Sequence, residues 1–360
     1  MNAAPPFCPQ EVSVVRPACF PLRICVLLAL LFCAACAPRV DRPGVAVSPP
    51  FLGRAHFAAA DGAVLPVRAW VPQGGSAKAV IVALHGFNDY SHFFTQPGEY
   101  LARQGVACYA YDQRGFGNAP GRGLWAGGEA YVDDLRAFVA QIKSRHPGLP
   151  VYVLGESMGG AVAIAAMASA RPPAADGLIL ASPAVWGRAT MPWYQRLLLD
   201  SAAHTVPWLR LTGEGLKIMA SDNIEMLRGL GRDPLVIKAT RVDAIYGLAD
   251  LMDAALAGAG KLESATLVLY GERDQVVPRE PVMRMLAQMQ GPQVRAAFYE
   301  NGYHLLLRDL QAETPWRDIA AWVENHGAPL PSGADLRGVA GWAPPRPSGN
   351  LARAPRFAVR

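Results

Sequence analysis

The position of this chain best suited to covalent chemistry is a serine between glycines, Gly155-Glu156-Ser157-Met158-Gly159-Gly160. A hydroxyl becomes a useful nucleophile when a base takes its proton and fixed donors receive the charge that develops. An apolar run, Val151 to Leu154, leads into the serine, and an Ala-rich run, Ala161 to Ala168, leads out. That is the pattern of a strand, a tight turn and a helix. Glycines suit a turn too crowded for side chains, and the N-terminus of the helix favours negative charge. His85-Gly86-Phe87 follows another apolar run. A glycine there lets the Phe87 and Met158 N–H groups converge as an oxyanion hole.

A base and an acid are still needed. Tyr270-Gly271-Glu272-Arg273-Asp274 runs a strand into a loop with two acids, and Asn301-Gly302-Tyr303-His304 runs a strand into a loop with a histidine. In the chain order serine, acid, histidine, the expected base is His304 and the expected acid Asp274, with Glu272 as the alternative. The other histidines fit less well. His56, His85 and His92 precede the nucleophile, His146 and His326 sit at helix ends, and His204 falls in an intervening helical stretch. His85 is expected to be a structural, hydrogen-bonded residue. The set needs no metal and no organic cofactor.

These loops require a scaffold that brings them to one edge. Ala79–Leu84, Val106–Tyr111, Val151–Leu154, Gly177–Ala181, Thr266–Tyr270 and Val294–Tyr299 are apolar runs of strand length. Helical spacing lies between the first four, over 97–104, 130–144 and 159–169. The alternation predicts an α/β fold, a mostly parallel sheet with helices on both faces. Residues 184–264 are too many for one crossover. Residues 187 to about 240 are therefore read as an inserted helical cap within a domain spanning 51–328. Its apolar side chains, Met191, Trp193, Tyr194 and Trp208 among them, are candidates for a substrate pocket suited to an acyl chain.

Beyond the elbow, the segments HGFNDYSHFF (85–94), DQRGFG (112–117), GERDQVVP (271–278) and NGYH (301–304) resemble the monoacylglycerol lipase and lysophospholipase-like, S33-type branch of the α/β-hydrolases. The resemblance runs from about residue 55 to 325. It implies an α/β-hydrolase fold with a cap, and hydrolysis of carboxylic esters of monoacylglycerols or lysophospholipids. It also implies Ser157, Asp274 and His304 as the triad, and Phe87 and Met158 as oxyanion donors. Asp112 and Arg114 match a loop that braces the oxyanion turn. One departure stands out: Glu156 occupies a place where many relatives have histidine. Alternatives on the same triad are a general carboxylesterase or an aminopeptidase. An inactive envelope-tethered binding protein is the alternative of another class.

Half of the 360 residues are apolar, under a fifth are charged, and the formal charge is +5. Five arginines after residue 328 supply much of that charge, so no basic face for nucleic acid is expected. Residues 329–360, rich in Pro, Gly and Arg, read as a disordered tail. Five of the six cysteines lie before residue 37, leaving Cys108 in the body. Arg16 and Arg23, an apolar stretch from Ile24 to Phe32, and Ala34-Ala35-Cys36 have the layout of a secretory signal. The end of that stretch resembles a bacterial lipobox, with Cys33 where Leu is usual. Cys36 is therefore the expected lipidation site, residues 37–50 a tether, and the cell envelope, through the outer membrane, the expected location, with a secreted or periplasmic protein as the alternative.

Overall fold

Six-residue runs without a polar interruption need cover on both faces, and the fold supplies it. A computed structural model describes residues 37–335 apart from 75, 214, 216 and 290–292. The chain opens on β1 (Phe51–Leu52), β2 (His56–Ala58) and β3 (Val64–Trp70). It then alternates through β4 (Ala79–Leu84), α1 (Thr95–Arg103), β5 (Val106–Tyr111), α2 (Gly128–Arg145), β6 (Val151–Glu156), α3 (Met158–Met167) and β7 (Gly177–Ala181). An insertion follows, with α4 (Trp193–Thr205), β8 (Arg210–Thr212), α5 (Ile224–Arg232) and β9 (Ala239–Arg241). The sheet resumes through α6 (Val242–Gly258), β10 (Ala265–Gly271), α7 (Arg279–Gln288), β11 (Val294–Tyr299) and α8 (Glu313–Glu324).

Among the described residues the main sheet has nine strands in the order β1-β2-β3-β5-β4-β6-β7-β10-β11. The opening hairpins and the β3–β5 pair are antiparallel, and every pair from β5 to β11 is parallel. Side chains alternate between two cores, as the strand period requires. Val80, Val82 and Leu84 of β4 join a core with α2, α3 and α6, while Ala79, Ile81 and Ala83 join one with α1 and α8. Because β4, β6, β7, β10 and β11 run parallel, the loops after them open at one edge. In open α/β sheets that edge is where ligands bind.

Two expectations need correction. Residues 37–50 do not hang free but lie along the domain. The Arg39 N–H donates to Asp243 Oδ2, Asp41 N–H to Trp125 O at 2.7 Å, and Val47 N–H to Ala60 O at 2.8 Å. The tail also starts later than 329. Leu330 and Ala334 are buried in the core beside Trp322, and Asp335 pairs with Arg295. A leucine that fills a core and a buried carboxylate with a cation hold this stretch in place, despite its Pro and Gly content. Residues 1–36 and 336–360, with Cys36 and most of the basic tail, lie outside the described residues. No described helix is long and apolar enough to cross a membrane.

Candidate active site

The strand-to-helix turn at Ser157 is as tight as its glycines imply. Ser157 sits at φ 52° and ψ −116°, a left-handed φ that costs a non-glycine residue on the order of 1–3 kcal/mol. A Cβ on Gly159 would collide with the backbone carbonyl of Leu84, so α3 can dock against β4 only through a glycine. The strain holds the serine clear of the sheet at the N-terminus of α3. The Met158 N–H, in the first turn of the helix, has no intrahelical carbonyl to bond.

Each partner comes from a different strand end. Ser157 Oγ lies 2.9 Å from His304 Nε2, and His304 Nδ1 lies 2.8 Å from Asp274 Oδ2. The carboxylate partner fixes the tautomer. Nδ1 carries the proton and donates to Asp274, which leaves Nε2 to accept the serine hydroxyl. Asp274 is itself held. Its Oδ1 accepts the N–H groups of Val276 and Val277 at 2.8 and 2.9 Å, and its side chain is fully buried. Glu272 instead points to Arg279 on the surface, 3.5 Å away.

The turn after β4 passes directly over the nucleophile. A Cβ on Gly86 would stand 3.3 Å from Ser157 Cβ, so the turn packs against the serine with little room for a side chain. His85 is buried, with Nδ1–H donating to Gly86 O at 2.8 Å and Nε2 accepting the Gln113 N–H at 3.0 Å. Burial pushes its pKa down, in keeping with a neutral brace for the turn. Asp112 braces the same segment through the Ser91 N–H at 3.0 Å. Arg114 acts elsewhere, tying Asp61 of the opening hairpin to Asp134 of α2. The arrangement can pass the Ser157 proton to His304 Nε2 as Oγ attacks a carbonyl carbon, with Asp274 steadying the imidazolium. Among the described residues no cluster of three or more His, Cys, Asp or Glu is placed to hold a metal.

The cap candidates fare differently. Met191 packs on the core, but Trp193, Tyr194 and Trp208 are 72%, 50% and 56% exposed. Helix α4 buries only Ala203, so Trp193 and Tyr194 present their rings to solvent. Sequence reasoning also missed a buried charge cluster beneath the nucleophile, in which Arg308 contacts both Glu156 and Asp89. The glutamate before Ser157 was the signal. A carboxylate buried at the end of a central strand demands a partner, since leaving it unpaired costs several kcal/mol.

Residues 75–311 match the family described as serine aminopeptidase, S33. The chain belongs to that family. Over 285 residues this S33 hydrolase is 27% identical to the human monoglyceride lipase, covering 78% of this chain and 93% of that one. It is 24% identical to the Mycolicibacterium smegmatis monoacylglycerol lipase, over 75% of this chain and 96% of the relative. Among solved structures, the Paleococcus ferrophilus monoacylglycerol lipase superposes with a TM-score of 0.62 at 22% identity, over 73% of this chain and 99% of that one. A soluble variant of the Saccharomyces cerevisiae monoglyceride lipase gives 0.64 at 20% identity, over 81% and 99%. At those identities the structures establish the α/β-hydrolase fold.

Proposed function

We propose that this S33 hydrolase cleaves carboxylic esters of lipid-like substrates, monoacylglycerols or lysophospholipids, through an acyl-enzyme on Ser157. His304 Nε2 takes the serine proton as Oγ attacks the ester carbonyl. Asp274 stabilises the imidazolium, and the Phe87 and Met158 N–H groups hold the tetrahedral oxyanion. Collapse expels the alcohol, which leaves with the proton from His304. Water then repeats the sequence and frees the fatty acid. The observation that carries this reading is the continuous Ser157–His304–Asp274 relay, with contacts of 2.9 and 2.8 Å. It occurs in a chain whose near-full-length relatives include monoglyceride lipases.

The exposed apolar face of the cap supports a substrate presented by a membrane or micelle. Trp193, Leu197, Leu198 and Trp208 are each more than half exposed on a short stretch of chain, and contiguous patches of this kind mark interaction sites. In this reading Cys36 is acylated and anchors the enzyme in the cell envelope, at the outer membrane of a double-membraned cell. The strap after it meets the domain at Asp243, immediately after the ribbon of the cap, so the anchor would sit on the cap side.

Nitrophenyl esters of rising chain length, 1-monooleoylglycerol and an aminoacyl anilide test the activity together. Turnover of the long-chain glyceride with little of the anilide is expected, and the reverse order would overturn the assignment. Mass spectrometry of the mature N-terminus tests the anchor, and an unmodified peptide that begins at Met1 or beyond Cys36 would remove it.

A further inference from the structure

Three loops must agree in position for acyl transfer on Ser157: the elbow, the turn that carries Phe87, and the loop that carries His304. One side chain touches or belongs to all three. Arg308 lies four residues after His304 and is buried. Its Nη2 stands 2.8 Å from Asp89 Oδ2 and 3.0 Å from Glu156 Oε2. Asp89 is two residues beyond Phe87, and its N–H donates back to Gly86 O while its Oδ1 accepts the Tyr90 N–H. Glu156 is fully buried and adjoins the nucleophile. Burial pushes the Glu156 carboxyl up, and the Arg308 guanidinium opposes that shift. Arg308 is fixed in turn. Its N–H donates to Leu305 O at 2.7 Å, its carbonyl accepts Asn223 Nδ2 at 3.0 Å, and its guanidinium lies over the Phe93 ring.

We propose that Arg308 is a positioning residue for acylation, holding the elbow, the oxyanion turn and the His304 loop in register through the Glu156–Arg308–Asp89 bridge. The proposal rests on the triad reading above. A planar guanidinium holds its Nη2 between the two carboxylates in a fixed orientation, whereas an ammonium has a shorter reach, on a flexible stem with freely rotating donors. A displacement of about 1 Å among reacting groups costs about 100-fold in rate, so even a partial slip of these loops should be visible in kcat. Arg308 touches no reacting atom, and ground-state binding of substrate should be nearly indifferent to it.

The test compares Arg308→Lys and Glu156→Gln with Arg295→Lys, which loosens another, partly buried ion pair, that with Asp335, at the start of β11. Each is assayed for Tm, for kcat and KM on a short soluble nitrophenyl ester, and for the rate of fluorophosphonate labelling. Arg308→Lys should lower kcat and the labelling rate together by about 10- to 100-fold with KM within about threefold. Glu156→Gln, which keeps an acceptor for Nη2, should lower them about three- to tenfold. Arg295→Lys should lower Tm and leave kcat within about twofold. The proposal is overturned if Arg308→Lys loses Tm as Arg295→Lys does while kcat and labelling stay within about twofold, or if only its KM changes. Should Arg308→Lys fail to fold, Glu156→Gln decides, and an unchanged kcat there overturns it. An active Ser157→Ala would instead bring down the triad reading itself.

Discussion

The two halves of the cap are drawn from similar apolar sequence but relate to the catalytic edge in opposite ways. The first half, α4 and β8, leaves Leu198 67% exposed along with its aromatic neighbours. The second half is stitched to the loops that carry the chemistry. Leu305 N–H donates to Ala220 O, Ser221 Oγ to Asp309 Oδ1 at 2.6 Å, and Ile237 N–H to Asn88 O. Asn88 Nδ2 donates to Thr240 Oγ1, and Tyr90 OH to Asp233 Oδ2, each at 2.7 Å. Polar bonds of fixed length hold one half where it supports the His304 loop and the oxyanion turn. The other half is tied back through the β8–β9 ladder, the Asp243 N–H to Pro207 O bond and the Arg188–Asp200 pair. None of these involves the His304 loop or the oxyanion turn, and the apolar side chains of this half are left to meet a surface. Substitutions should therefore fall in effect from the catalytic edge, through the stitched half, to the exposed half.

The edge comes first. Ser157→Ala should lower kcat by about 10⁴- to 10⁶-fold with the fold intact, because the triad acts as a unit. Retention of a tenth of the ester turnover would remove Ser157 from the role of nucleophile. Asp274→Asn should cost about 10³- to 10⁴-fold, since an amide neither stabilises an imidazolium nor enforces the Nδ1–H tautomer. Glu272→Gln, at the surface beside Arg279, should stay within about twofold. Exchange of severity between these two variants would move the acid to Glu272 and break the geometry described for the edge.

The same contrast governs what the sequence made legible. The edge was readable because its backbone admits few residue types. Only glycine fits against the Leu84 carbonyl, the serine must close a strand, and the acid and histidine must follow strands that reach the same side. The strands were readable as largely apolar runs, and all six keep their expected bounds or extend by at most two residues. The cap was readable as an insertion but not in detail. A Trp at helical spacing is apolar whether it lines a pocket or faces water, and Trp193 does the latter. Contacts distant in sequence left no local trace either. Nothing near Arg308 shows that it meets Asp89 and Glu156, and nothing near Asp335 shows that it meets Arg295. The strap at 37–50 was obscured for the same reason, since its Pro-rich composition hides the backbone bonds to Trp125 and Ala60.

The stitched half carries a pH signature. Asp309 accepts Ser221 Oγ and the Tyr303 N–H at 2.6 and 2.7 Å, and burial pushes its pKa from 3.8 up to about 6. A carboxyl with a raised folded-state pKa stabilises the fold when protonated. That contribution is full below about pH 4 and is lost as pH rises through about 6. Asp309→Asn is neutral throughout, so wild type should gain on the variant by about 2–3 kcal/mol as pH falls from 7 to 4. Thermal unfolding of both proteins across that range reads the difference. A constant gap would mean that the carboxylate is not strained by burial. Ser221→Ala, which removes a bond that favours the charged form, should move the wild-type transition to higher pH.

The smallest effects should come from the exposed half, and they should depend on how substrate is presented. Trp193, Leu198 and Trp208 make few internal contacts, so replacing each with serine should change Tm little; surface substitutions away from special features usually stay within about 0.5 kcal/mol. Turnover of a short soluble ester should likewise hold within about twofold, because the triad and its oxyanion donors are anchored by the other half. With a long-chain glyceride in phospholipid vesicles the same variants should lose about three- to tenfold in kcat/KM. Each buried apolar side chain contributes about 1.5–3 kcal/mol when fully covered, and a ring only partly embedded in a bilayer contributes a fraction of that. The signature is the ratio between the two assays rather than either rate alone. An equal loss on soluble and vesicle substrates would mean that these rings shape the catalytic edge after all, and the division between the two halves of the cap would fail. If neither assay changes, the patch serves neither the membrane nor the substrate. Deletion of the proposed anchor sharpens the comparison further. On the proposal that Cys36 is acylated, a chain that begins after Cys36 reaches the vesicle only by its own surface, so the three serine variants should cost it more than they cost the full-length chain.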